Sequence, residues 1–206
     1  MRSRFESRAV ARLVAVVAVV TTLCGVAAAR GVVSRREADA FQRKVLDIRQ
    51  YGAAALVGAR VTPVYEGEIN SFLHYDSASG LPPGVREPSV SILGDGRVAG
   101  RAVVDLDAVR NSRARGLLDP MNLLSGRLEV TASGTLAADE GQARFALESA
   151  AVGGVPIPKM LLQELVSYYT RSPQWPSGLG LDDTFELPVR IRQIDLRPGQ
   201  AVVVQR

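Results

Sequence analysis

Residues Pro88–Val109 read PSVSILGDGRVAGRAVVDLDAV. Asp95-Gly96 sits between two extended runs, and an Asp-Gly pair flanked by alternating apolar residues is the strongest short-range signal for a β-hairpin. In the second run Val98, Gly100, Ala102, Val104 and Leu106 alternate with Ala99, Arg101, Val103, Asp105 and Asp107. Period two with one polar side predicts a strand that meets a core on one face and water on the other.

Downstream, RLEVTASGTLA (Arg127–Ala137) repeats the pattern, with Leu128, Val130, Ala132, Gly134 and Leu136 on one face. ADEG (Ala138–Gly141) is a turn, and QARFALESA (Gln142–Ala150) resumes the alternation through Phe145 and Leu147. FELPVRIRQIDL (Phe185–Leu196) alternates through Phe185, Leu187, Val189 and Ile191, then shifts parity to Ile194 and Leu196, as a β-bulge would make it do. RPGQ turns the chain into AVVVQ. Three hairpins with long strands predict an α+β fold built on a long, curved antiparallel meander.

The remaining segments supply two or three helices, packed on or at one end of the apolar face. Ser34-Arg35-Arg36-Glu37 has the form of a capping box, and Ala38, Phe41, Val45, Ile48 and Tyr51 recur at helical spacing. A helix over 35–57, stopped by Gly58, follows, either an amphipathic core helix or a stalk, with the core helix preferred. Arg60–Tyr65 is a short extended piece broken by Pro63. From Glu66 the pattern is helical, with Ile69, Phe72 and Leu73 on one face, until SASGLPPG (Ser77–Gly84) stops it. The connector after Arg110 offers at most a helical turn around Leu117 and Leu118. VGGVPIPKMLLQELVSYY (Val152–Tyr169) is a rigid elbow: Gly153 and Gly154 permit unusual backbone angles, Pro156 and Pro158 fix theirs, and a helix with Met160, Leu161, Leu165 and Tyr168 or Tyr169 follows. The expected organisation is a leader over 1–29, an N-terminal helix over 30–59 and one α+β domain over 60–206.

Charge is concentrated at the start. The chain carries +4, and Arg2, Arg4, Arg8 and Arg12 against Glu6 account for +3 of it. The body is nearly neutral and lacks the basic field that nucleic acid binding needs. Leu13–Ala29 has no charge, and Ala27-Ala28-Ala29 has the small residues of a cleavage site. The segment reads as a signal peptide or, at the lower edge of spanning length, a membrane anchor. Both place the body beyond the cytoplasmic membrane, periplasmic or held at its outer face. The only cysteine, Cys24, lies in the leader, so the body is built without disulfides.

No catalytic signature emerges, and the expectation is a non-enzymatic protein without metal or cofactor. The single histidine, His74, is close in sequence to Asp76 and Ser77, but a triad needs spatial rather than sequential neighbours. Asp105 and Asp107 read as a solvated strand face, and Asp182 and Asp183 as turn or cap residues.

VTPVYEGEINSFL, through Glu68, Ile69, Asn70, Phe72 and Leu73, resembles a segment of the YpmS-like family of extracytoplasmic proteins. Gly154, Val155, Pro156, Ile157 and Pro158 are similar to that family's glycine-apolar-Pro-apolar-Pro step, and Ile194-Asp195-Leu196 to a terminal motif. More distantly the layout is similar to groove-type periplasmic lipid-binding proteins. The resemblance implies lipid handling at the outer face of the cytoplasmic membrane, with no enzymatic role. Two functions follow as expectations: binding of a lipid or other apolar ligand, or an envelope scaffold that binds a protein partner. For the first, the candidate lining is Val98, Val104, Leu128, Val130, Leu136, Phe145 and Leu147, with Met160, Leu161, Leu165, Tyr168, Tyr169 and Trp175 at the mouth. The alternative use of the strand residues is a dry core.

Overall fold

The structure, a computed structural model, describes residues 33–54, 58–76, 81, 84–111, 125–170, 177–178 and 180–206; side chains at 109–111, 165 and 168–170 are not part of the description. The expected leader with its candidate cleavage site, most of the SASGLPPG loop, the expected helical turn around Leu117 and Leu118, and Trp175 lie outside the described residues.

The fold is α+β with a long antiparallel sheet, as the hairpin spacing predicts. Strands β2 (Val85–Gly94), β3 (Arg97–Asp105), β4 (Arg127–Asp139), β5 (Gln142–Val152) and β6 (Val155–Pro156) lie side by side in chain order, and β7 (Thr184–Glu186) also pairs with β5. Asp95 and Gly96 both have positive φ (53° and 75°), so the turn between β2 and β3 has the primed geometry that matches strand twist. One face of the sheet is polar: Ser133 and Ser149 share a hydrogen bond of 2.8 Å, and Arg101 pairs with Glu129.

The third hairpin is not a continuation of this sheet. β8 (Ile191–Arg197) and β9 (Gln200–Gln205) form a second, three-stranded sheet with β1 (Arg60–Tyr65), in the order β1-β9-β8. FELPVRIRQIDL is therefore two strands in two sheets. Pro188 has no N–H for a ladder, and Val189 and Arg190 follow with positive φ (52° and 60°), turning the chain from β7 into β8. The alternation from Phe185 to Ile191 runs through this change of sheet. The parity shift to Ile194 and Leu196 lies inside β8, where the register with β9 slips between Ile191 and Gln193, the β-bulge that the shift predicts. The larger sheet has its own bulge: Ser149 pairs with Ser133 and Leu147 with Gly134, leaving Glu148 as the extra residue of β5. Pro63 does not break β1, because β1 pairs only with β9 and an edge strand tolerates a missing donor.

Helix α1 (Arg35–Ala53) starts on Ser34, whose hydroxyl accepts from the Glu37 N–H at 3.3 Å. It ends at Ala53, before the expected Gly58. The second half of the capping box is rerouted: the Ser34 N–H donates to Ser71 Oγ (3.1 Å), which in turn donates to Glu37 (3.0 Å). Ser71 belongs to α2 (Glu66–Tyr75), so the cap also joins the two helices. They run antiparallel, with Phe41 against Phe72 (4.9 Å between ring centres) and Lys44 Nζ 2.7 Å from both carboxylate oxygens of Glu68. α3 (Leu106–Asn111) replaces the predicted end of a strand: Leu106 is buried, and Asp105 Oδ1 accepts from the Ala108 N–H at 3.0 Å, capping the helix. α4 (Lys159–Thr170) follows the glycine-proline elbow.

The second sheet lies across one end of the first. The Gly199 N–H donates to the Ile92 carbonyl (2.8 Å) and the Gly141 N–H to the Arg192 carbonyl (2.8 Å), so β8 bridges from the β4–β5 turn to the end of β2. Two apolar clusters fill this closed end. One joins Leu73, Val90, Ile92, Val98, Leu196 and Ala201; the other joins Ile48, Val64, Ala143, Leu187, Ile191 and Val203. The far ends of the strands, at Val85, Asp105, Arg127 and Val152, are the open end.

Candidate functional site

The apolar face of the large sheet runs from the closed end to the open end, and the predicted lining residues fall along it in register. Val98 faces Gly134, Ala102 faces Val130 and Val104 faces Leu128 across β3 and β4. On β4 and β5, Leu136 faces Phe145, Gly134 faces Leu147 and Val130 faces Val152. Because of the Glu148 bulge, Phe145 and Leu147 share a face with Ala150 and Val152 rather than with Ser149.

Along this face burial changes. Val98 is buried in the closed-end core, and Leu136 and Phe145 pack against that core. Leu147 is buried in a third cluster with Ala132, Ala150 and Leu181, covered by Leu162 and Val166 of α4. These four predicted lining residues are therefore packing residues. Gly134 gives the Phe145 ring its room: a Cβ there would collide with the ring and with the Ala146 carbonyl. Toward the open end Ala102 is buried, while Val104, Leu128 and Val130 are half-buried, as are Val85 and Val152, which the sequence reading missed.

The elbow sits beside this half-covered surface. Gly153 and Gly154 both have positive φ (58° and 81°) and make a two-residue turn between Val152 and Val155. The Leu128 side chain lies 3.6 Å from the position of a Cβ on Gly153, which places the turn at the rim of the apolar face. The chain then runs back along β5, with the Ile157 N–H on the Ala150 carbonyl (2.9 Å), and enters α4. Val155, Met160 and Leu161 are exposed, at 67%, 78% and 48%. The predicted mouth residues Met160 and Leu161 thus point to solvent, and the stripe that packs on the sheet is Leu162 and Val166, one position round the helix. Leu165, Tyr168 and Tyr169 lie in α4, but their side chains, like Trp175, are outside the description.

The polar candidates take structural parts. His74 is exposed in the last turn of α2, edge-on to Tyr75. Asp105 caps α3 and lies 3.5 Å from Arg86 and 3.4 Å from Arg127, which makes it a fixed anchor rather than a freely solvated carboxylate. Its carboxyl is held below the usual aspartate range, first by the Ala108 N–H and then by Arg127 and Arg86, against the opposing effect of burial. Asp107 Oδ2 accepts from the Gly126 N–H (3.0 Å), Asp183 Oδ2 from the Gly180 N–H, and Asp182 pairs with Lys159 (2.8 Å). Among the described residues no three of the His, Cys, Asp or Glu groups cluster in a way that would hold a metal ion, and no helix is long and apolar enough to cross a membrane.

The residues of the EGEIN segment tie α2 to the edge of the sheet. Asn70 donates to the Val90 carbonyl (2.8 Å) and accepts from its N–H (2.7 Å), and Glu66 accepts from the Ile92 N–H (2.7 Å). β2 is an edge strand, and these side chains satisfy its outward groups as another strand would. In comparisons with protein-family models, curated proteins and solved structures, nothing matches this chain.

Proposed function

We propose that this is an exported, non-enzymatic protein that binds a lipid or similar apolar chain on the open half of its sheet. The observation that carries the reading is the uneven cover of one apolar face. Its closed half is filled by the second sheet and α2, whereas Val104, Leu128, Val130 and Val152 are left half-buried, the exposed Val155 follows the elbow at their edge, and Met160 and Leu161 are exposed at the start of α4. Ligand sites are mostly apolar and concave, with few polar groups, and the rim here is a rigid glycine-proline elbow. The charge-free leader segment and the resemblance to the YpmS-like family support the same reading.

The alternative, an envelope scaffold that receives a partner strand, has less support. Between Arg144 and Ala151 no described strand pairs with the outer side of β5. That stretch contains the Glu148 bulge and its exposed carboxylate, features that discourage strand addition. The test is mass spectrometry of an organic extract of the purified protein, together with uptake from phospholipid vesicles after delipidation. Bound phospholipid, lost in Met160→Asp/Leu161→Asp, is the expected result. Absence of both co-purified and acquired lipid overturns the proposal.

A further inference from the structure

The open end of the apolar face and the attachment point of the leader lie at the same pole. α2 is laid along β2 in step: Glu66 meets Ile92 and Asn70 meets Val90. Four helical residues advance about 6 Å and two strand residues about 6.6 Å, so the helix keeps pace with the strand. As α2 proceeds to Tyr75 it therefore runs toward the start of β2, away from the closed end. The beginning of α1 is fixed to that end of α2, through Ser34 on Ser71 and Arg35 on Asp76 at 2.7 Å. Leu13–Ala29 ends just before this point, and residues 30–33 can span at most about 14 Å.

Exposed apolar and amphipathic groups flank the open end on both sides. Tyr75 is 43% exposed on the β2 side, with the Arg35 guanidinium 5.9 Å from its ring centre. Val155 is exposed on the β6 side. Tyrosine with a nearby arginine suits the bilayer interface, where the ring meets the acyl boundary and the cation meets phosphate. Val61, Leu93 and Tyr65, the last with Lys44 Nζ 4.8 Å from the centre of its ring, are also exposed toward the closed end, so the point where the leader joins the fold, and not exposed side chains alone, selects the open pole.

From this we infer that the open end is the membrane-facing pole: the protein stands on a phospholipid bilayer with the half-covered sheet face opening downward, so that an acyl chain passes between bilayer and sheet without crossing water. The inference rests on the lipid-binding reading for its purpose, but its geometry can be tested alone. The full chain is prepared in a Cys24→Ser background with one cysteine at a time: Tyr75→Cys and Val155→Cys at the open pole, Ala137→Cys and Arg197→Cys at the closed pole. Each carries a polarity-sensitive fluorophore and is reconstituted into phosphatidylethanolamine–phosphatidylglycerol vesicles containing headgroup spin-labelled lipid. The expected result is loss of fluorescence at positions 75 and 155 and none at 137 and 197. Equal quenching at both poles, or greater quenching at 137 and 197, overturns the orientation. In the same vesicles a photoactivatable phosphatidylglycerol reports the ligand reading separately, through crosslinks to the β4 peptide bearing Leu128 and Val130. Crosslinks without a difference between the poles overturn the orientation alone. A difference between the poles without β4 crosslinks upholds the orientation and overturns the ligand reading.

Discussion

The two ends of the large sheet are made from the same kind of strand and differ in what lies on them. At the closed end, Val90, Ile92 and Val98 meet Leu73, Leu196 and Ala201 and are at most 7% exposed. At the open end, Val104, Leu128 and Val130 continue the same alternation on the same face and are left half-buried. Alternation therefore records which side of a strand turns from water, but not whether a second layer of protein or a ligand does the covering.

The strongest way to break this contrast is to cut into the closed end. Ile92→Ala or Leu196→Ala removes a side chain packed between the two sheets, and each is expected to cost about 2–5 kcal/mol in urea unfolding, the range for a buried aliphatic reduced to alanine. Leu128→Ala, at the open end, is expected to cost clearly less, because part of its surface already faces out. If Leu128 proves as costly as Ile92, the open end is a filled core in solution and the distinction between the ends fails.

Next in size is the seam between α2 and the sheet. Asn70→Ala leaves the Val90 N–H and carbonyl without their side-chain partners, at an expected cost of about 1–3 kcal/mol. It also uncovers an edge strand, so the variant should self-associate on heating in light scattering, as strands with free edges do. Asn70→Ala with unchanged stability and no association would show that water replaces the amide and that the edge needs no cover.

The hairpins were legible because two-residue turns and period-two alternation are local. Asp95-Gly96 and the face from Leu128 to Leu136 are examples, and Ser34 with Glu37 marked the start of α1. The division into two sheets was not legible, because β1 and β9 are paired from opposite ends of the chain and nothing in either strand names its partner. The Glu148 bulge was hidden by Ala150 and Ala151, small residues that suit either face. In α4 several apolar stripes fit helical spacing. Only the position of Leu181 and the sheet picks out Leu162 and Val166 as packed, with Met160 and Leu161 outside. The candidate site was legible as a face, while the line between filled and open depends on where the second sheet docks.

A smaller effect on stability, but the larger one on function, is expected from Met160→Asp/Leu161→Asp. Both side chains are exposed, so the unfolding free energy should stay within about 0.5 kcal/mol per site. Vesicle-derived lipid uptake should be lost, because a carboxylate at the rim opposes entry of an acyl chain. The reverse outcome, lost stability with uptake retained, would make this surface part of the fold.

Asp105 offers the finest comparison, because it sits at the open end on the polar face, back to back with the proposed site. Its carboxyl is depressed by the Ala108 N–H first, and by Arg127 and Arg86. A depressed carboxyl stabilises the folded state fully above the range of an unfolded aspartate, and that contribution disappears as pH falls through the lowered folded value. The melting temperature of the wild type should therefore fall on acidification through that window. Asp105→Asn should melt lower than wild type at neutral pH and fall less over the same window, so that the two curves approach each other in acid. Lipid uptake at neutral pH should be equal in the two proteins, since Asp105 points away from the apolar face. Parallel melting curves would show that the Arg86–Asp105–Arg127 cluster contributes nothing to stability. A selective loss of uptake would show that the end of the sheet binds its ligand from both faces rather than one.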